Sequence, residues 1–330
     1  MKRFKFFVLA AVFLAVFSYG LNMREKSMPS LSLETKSSGA EIKTPEKSSQ
    51  ENLLKVHFID VGQADSILIE SNGSFMLVDA GNNDDAKLVT GYLKAQSVAS
   101  LEYVIGTHPH EDHIGSLDTV IETFDVKKVI MPKKMHTTKT FEDVISAIEA
   151  KGLKITPPNP GDKYSLGLAE FTVIAPNGSY GDNLNNWSVG IKLIYGGTSF
   201  VMCGDAEAES ESDIIKTGLD ISADVLKINH HGSSTSSSAA FIDAVNPKYA
   251  VISLGKDNSY GHPHKEVLER LENKGIICLR TDESGTITAK SDGKSITWEA
   301  SSGLPDSLSD CLSSAGAVSL GYSPCKSCKP

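Results

Sequence analysis

The stretch Thr107–Gly115, THPHEDHIG, gathers His108, His110 and His113 around Glu111 and Asp112 directly after the apolar run YVIG. A buried imidazole needs a hydrogen-bond partner and a buried carboxylate needs a counter-charge, so crowding both on one turn is costly unless something neutralises them. A divalent cation does so. The His-x-His spacing lets two imidazoles converge on one ion from an extended turn, and the Asp-His that follows turns toward a second ion as a helix starts. Neutral imidazole and carboxylate suit zinc, manganese or iron, and these loops lack the cysteines of a purely structural zinc site.

The same ligand types recur in four other loops: Asp79 in LVDAG, Asp205 in MCGDA, His230 and His231 in INHHGSS, and His262 and His264 in YGHPH. Such positions, just after strands, are where function concentrates on a rigid scaffold. His136, in MPKKMHTTK, stands apart and reads as a solvated loop residue.

Around these loops the hydrophobic pattern alternates between strand and helix. KVHFIDV, ADSILIES and SFMLVDAG read as strands, followed by a helix in DDAKLVTGYLKAQ, a strand in LEYVIGT, one helix in HIGSLDTVIETF, a strand in VKKVIMP, and a helix in TFEDVISAIEAKG that stops at Gly152. After the turn TPPNPGD, the strands AEFTVIAP, SVGIKLIYGG and TSFVMCGDA lead into the acidic helix AEAESESDIIKTG. The strands ADVLKIN, YAVISLG and ICLRT then alternate with helices around SAAFIDAV and KEVLERLENKG. Two halves that each open with antiparallel strands and continue with βα units predict an α/β fold, a four-layer αββα sandwich over residues 53–300.

The flanks differ. Residues 1–21, MKRFKFFVLAAVFLAVFSYGL, carry a basic start and an apolar run of about 16 residues, between the lengths of a signal peptide and a membrane span. The expectation is export, with Ser18 and Gly20 as small residues before a cleavage site. The alternative is an uncleaved anchor that makes this segment the only membrane contact. Residues 22–52 have the Ser/Lys/Glu-rich composition of a disordered tether, and residues 301–330 form a tail with Cys311, Cys325 and Cys328. Of the five cysteines, Cys203 and Cys278 lie in apolar strands and read as buried thiols, so the body is not disulfide-stapled. With 40% hydrophobic and 22% charged residues, the 330-residue chain is of ordinary globular composition, and its formal charge of -9 argues against a surface that binds nucleic acid by bulk electrostatics, leaving a local basic groove or a bound metal as ways to hold a phosphate.

THPHEDHIG resembles the HxHxDH signature of the metallo-β-lactamase fold, and LVDAG, GDA and the later histidine loops follow in that family's order over most of residues 54–299. Within it, HFIDVGQADSILIE, GDAE, ADVLKINHHGSSTSS and SLGKDNSYGHPH together resemble the extracytoplasmic hydrolase domain of ComEC-type DNA-uptake proteins. The resemblance implies that His108 and His110 hold a first metal, that Asp112 and His113 hold a second, and that Asp205 bridges both. Asp79 would orient the loop through hydrogen bonds, with Asn186, Ser233 and His264 as further supports. The last ligand is His231 or, alternatively, His230 from HHG, while GHPH offers His262 or His264. A departure is evident: no histidine lies between His136 and His230, where the family places a third imidazole for the first ion. Asn185, Asn186 or Ser188 stands there instead, which implies weak binding or a preference for manganese over zinc. The tail ending GYSPCKSCKP resembles half of the Ada-type zinc motif, implying a further zinc on Cys311, Cys325 and Cys328; a local disulfide between Cys325 and Cys328 is the alternative.

The implied cofactors are one or two divalent ions, zinc or manganese, and the implied substrate is a phosphodiester, with DNA among the candidates. Asp112, His231 and His262 are the candidate catalytic residues, the two histidines for leaving-group protonation. The serines of GSSTSSSAA lack a dedicated base and read as phosphate contacts or helix caps. The expected function is a secreted or surface phosphodiesterase or nuclease. Its rivals are a phosphorylcholine esterase or lactonase on the same scaffold, and a non-catalytic surface-binding module.

Overall fold

The structure, a computed structural model, describes residues 52–305. The apolar N-terminal run, most of the tether and the three tail cysteines lie outside the described residues. Two sheets dominate. The first has eight strands, in the spatial order Ile296–Ala300, Ile287–Ser291, Leu54–Phe58, Ile67–Ser71, Ser74–Val78, Tyr103–Ile105, Val129–Ile130 and Ile155–Thr156. The second has seven: Ile277–Arg280, Tyr249–Ile252, Val225–Lys227, Thr198–Met202, Gly190–Tyr195, Ala169–Ala175 and Lys163–Leu166.

Why the sheets stack follows from strand periodicity, which sends alternate side chains to opposite faces. Val56, Phe58, Ile69, Met76 and Val78 of the first sheet meet Phe171, Leu193, Phe200, Met202 and Val251 of the second in one buried core. The intervening residues Leu68, Leu77 and Val104 turn outward under the helices Ala86–Ala95, Leu117–Thr123 and Lys139–Ala150. On the other side, Val201, Leu226, Ala250 and Ile252 pack under Ala208–Lys216, Ala239–Val245 and Lys265–Asn273. Both faces of the central strands are therefore covered, which is why they read as nearly continuous apolar runs. The result is the αββα sandwich.

Two local readings need correction. HIGSLDTVIETF is not one helix but two, Glu111–Ile114 and Leu117–Thr123. At the junction Gly115 lies so close to the backbone of Asn82 and Asn83 that a Cβ would sit 2.2 Å from the Asn82 carbonyl carbon, so the chain bends where no larger residue fits. The hairpin Ile287–Ser291/Ile296–Ala300 was absent from the strand expectation. Asp292-Gly293 lies at its turn, with Gly293 at φ 84°, and the hairpin returns to the first sheet beside Leu54–Phe58.

In each sheet several neighbouring strands run parallel: Ser74–Val78 with Tyr103–Ile105, and Thr198–Met202 with Val225–Lys227 and then Tyr249–Ile252. Parallel strands share a carboxyl end, and the loops leaving those ends carry the ligand-type residues. Among the described residues no helix is long and apolar enough to cross a membrane.

Candidate metal centre

The chain leaves Ser74–Val78 at Asp79, whose φ of 58° turns the carboxylate back into the protein. There Oδ1 accepts from the Thr107 amide at 2.8 Å, and Oδ2 accepts from Thr107 Oγ1 at 2.7 Å and faces His113 Nδ1 at 2.8 Å. One carboxylate thus fixes both ends of the histidine turn. Because Asp79 accepts the hydrogen bond from His113 Nδ1–H, the lone pair of Nε2 is left free to bind a metal, and this nitrogen lies 3.1 Å from Asp205 Oδ2.

His108 and His110 face each other, Nε2 to Nδ1, at 2.9 Å, with Asp205 Oδ2 4.0 Å from His108 Nε2. Asp205 is 1% exposed and reached from Met202 through Gly204, where a Cβ would stand 2.8 Å from Thr107 Oγ1. The residue therefore has to be glycine for the two loops to close on each other. His231 donates from Nδ1 to the Ser253 carbonyl at 2.9 Å, so its Nε2 is turned inward, 3.3 Å from Asp112 Oδ2 and 3.7 Å from Asp205 Oδ1. Asp112, His113, Asp205 and His231 each offer a donor atom within 4.8 Å of the others. His113 Nε2, His231 Nε2 and Asp205 Oδ1 are buried without a hydrogen-bond partner. Orphaned buried atoms of this type are costly, and a divalent cation satisfies all three.

Charge is tightly balanced here. Burial opposes ionisation of Asp205, but the imidazoles of His113 and His231 outweigh it and hold the carboxyl well below its usual range. Burial likewise opposes charge on His113, and Asp205, Asp112 and Asp79 overcome it and raise that imidazole. His108 goes the other way, because burial and the neighbouring His113 keep it neutral.

The remaining candidates divide. His230 lines the cavity beside His231, with Nδ1 against Thr235 Oγ1 at 3.3 Å and Glu207 Oε1 at 3.5 Å, and Nε2 3.7 Å from Asp205 Oδ2. His262 lines the same cavity of about 280 Å³ and accepts from Gln63 Nε2 at 3.3 Å; burial and His231 lower its pKa to about 4. His264 does not reach the cavity: its Nδ1 accepts from the Ser234 amide at 2.8 Å. Ser233 turns to Thr235, while Ser238 caps Ala239–Val245 by accepting from the Phe241 amide. Asn186 supports the Asp205 loop, its Oδ1 accepting from the Glu207 amide at 2.9 Å and its Nδ2 reaching Glu209. That amide oxygen is engaged, and Asn186 cannot stand in for the missing histidine.

Sequence reasoning missed four charged groups. Asp65 and Lys227, each 1% exposed, form an ion pair at 3.0 Å beneath His113 and His231 and tie one sheet to the other. Glu207 holds His230, Asn183, Thr235 and Asn185, and those hydrogen bonds, that of His230 foremost, bring its pKa to about 2. Glu211 accepts from the amides of Ser237 and Ser238 and from Asn229 Nδ2. A lysine inside the apolar run VLKIN was the readable signal for the first pair.

A family model described as the metallo-beta-lactamase superfamily matches residues 59–256. The chain belongs to that superfamily. It is 33% identical to "ComE operon protein 3" of Bacillus subtilis, over 71% of this chain and 32% of that protein, and 28% identical to "Competence protein ComA" of Neisseria gonorrhoeae, over 72% and 32%. The superfamily member described here thus spans about a third of the length of the curated relatives it matches. Among solved structures, CmlA, a diiron beta-hydroxylase from Streptomyces venezuelae, is similar with a TM-score of 0.50 at 15% identity, covering 70% of this chain and 53% of that one, a likeness of fold. The chain is thus a metallo-β-lactamase-fold protein similar to competence proteins, with donor groups suited to a metal-dependent hydrolase.

Proposed function

We propose that this protein is an extracytoplasmic, metal-dependent phosphodiesterase that acts on nucleic acid. The carrying observation is the convergence of Asp112, His113, Asp205 and His231 around three partnerless buried donor atoms, beside the facing pair His108 Nε2 and His110 Nδ1. In this reading His108 and His110 hold one divalent ion, Asp112, His113 and His231 hold the other, and Asp205 spans both. Bound zinc or manganese would lower the pKa of a water toward neutrality and offset the charge of a phosphodiester.

The chain's own residues do the rest. Asp79 and the Ser253 carbonyl fix the tautomers of His113 and His231. Gln63 holds His262 at the cavity wall, where burial and His231 keep its imidazole neutral, a group suited to hydrogen-bonding a substrate rather than to the leaving-group protonation expected from the sequence. Among the described residues lining the cavity none is lysine or arginine, so substrate charge is offset by the ions rather than by a basic groove. The similarity to competence proteins supports DNA as the substrate, and the apolar run Phe6–Leu21 supports placement outside the cytoplasmic membrane.

The test is elemental analysis of the purified chain alongside hydrolysis of a bis-aryl phosphodiester and of single-stranded DNA. Bound metal with turnover that chelation abolishes and manganese or zinc restores is the expected result. Bound metal without turnover of either substrate would sink the enzyme reading in favour of a binding module.

A further inference from the structure

Three side chains stand where the superfamily's third histidine is missing, and they are not equivalent. Ser188 Oγ accepts from the Asp205 amide at 3.0 Å and contacts His108 at Nδ1, the rear of the ring, 3.3 Å away; it cannot share an ion with Nε2 on the opposite side. The Asn186 oxygen is bound to the Glu207 amide. Asn185 is different. Its Nδ2 donates to Glu207 Oε1 at 3.3 Å, which sets the orientation of the amide, because a carboxylate accepts from NH2 and not from a carbonyl. Oδ1 is then forced to the other side, where it is buried without a hydrogen-bond partner, and Asn185 lines the cavity together with His110 and Asp205.

We propose that Asn185 Oδ1 is the third protein donor of the first ion, held in place by Glu207. This rests on the two-ion reading above and specifies it. The first ion then has two imidazole nitrogens, an amide oxygen and a carboxylate oxygen, whereas the second has two imidazoles and two carboxylates. The first set, with one anionic oxygen against two, is the less charged and therefore the weaker one. The two ions are therefore unequal, one retained through purification and one exchangeable.

The experiment uses the full chain stripped by chelator and titrated separately with manganese and zinc, with bound ions counted by elemental analysis and paired manganese detected by its spin-coupled resonance. The wild type is expected to show two binding steps of unequal affinity. Asn185→Leu should weaken only the weaker step, by about 10-fold or more, and abolish the coupled signal while thermal stability is kept. Asn185→His, which supplies an imidazole nitrogen and keeps an N–H for Glu207, should restore that step and shift its preference toward zinc. Two unchanged steps in Asn185→Leu, or a loss that Asn185→His does not rescue, would overturn the proposal. A wild type with one ion, insensitive to His110→Ala, would overturn it too by removing the first site. Since ion counting needs no turnover, absence of hydrolysis would count against the phosphodiesterase reading alone.

Discussion

The two halves of the centre are built differently. The N-terminal half comes from one turn, Thr107–Gly115, clamped by the single carboxylate of Asp79. The C-terminal half is assembled from separate loops around Asn185, Asp205, His231 and His262, and it needs two further carboxylates, Glu207 and Glu211, to hold serines and asparagines in place. Where ligands are contiguous, one support suffices; where they are scattered, each loop brings its own.

The sharpest way to break the contrast is at the residue common to both halves. Asp205→Asn should reduce phosphodiester turnover to background and release metal, with Asn186→Ala doing less, because a neutral amide cannot offset two cations; equal losses would make Asn186 more than a loop support. Next is the ion pair joining the halves. Lys227→Met strands Asp65 as a buried charge and should cost about 3–5 kcal/mol in denaturant unfolding, whereas Lys227→Met with Asp65→Leu should recover most of it. A single variant as stable as the wild type would show that the halves are not stapled there.

Asp79→Ala should lower metal affinity roughly 10–100-fold by freeing the histidine turn. Glu211→Gln, which leaves one of three donors unsatisfied, should cost about 1–3 kcal/mol of stability with a smaller change in metal affinity. If the two variants behave alike, the contrast between one clamp and several is wrong.

The last effect lies outside both halves and leaves the metal centre untouched. His57 faces outward under Tyr92, and burial lowers its pKa to about 4 from 6.5. Its folded-state pKa is depressed, so its share of stability is complete above pH 6.5 and is lost as the pH falls toward 4, by about 1.4 kcal/mol per unit. His57→Leu should flatten the stability profile by that slope while leaving metal binding untouched.

These contrasts also explain what could be read in the sequence. The αββα order was legible because covered strands and amphipathic helices alternate with distinct periods. The His-x-His-x-Asp-His turn was legible because its ligands are neighbours in the chain. Asp65 and Glu211 were not, since an isolated carboxylate in a loop or helix looks solvated until the fold brings Lys227 or Asn229 against it. Asn185 and Asn186 are indistinguishable as letters; only the partners of their amides separate them.

The hairpin Ile287–Ala300, paired with Leu54–Phe58, bears on how the chain is made. Leu54–Phe58 is synthesised first among the described strands, yet its outer neighbour arrives more than two hundred residues later. Through most of translation that strand is an open apolar edge, able to pair with any other nascent chain. A ribosome stalled before Ile287 would therefore release a product prone to intermolecular strand addition, and folding should be slow because its closing contact is among the most distant in the sequence.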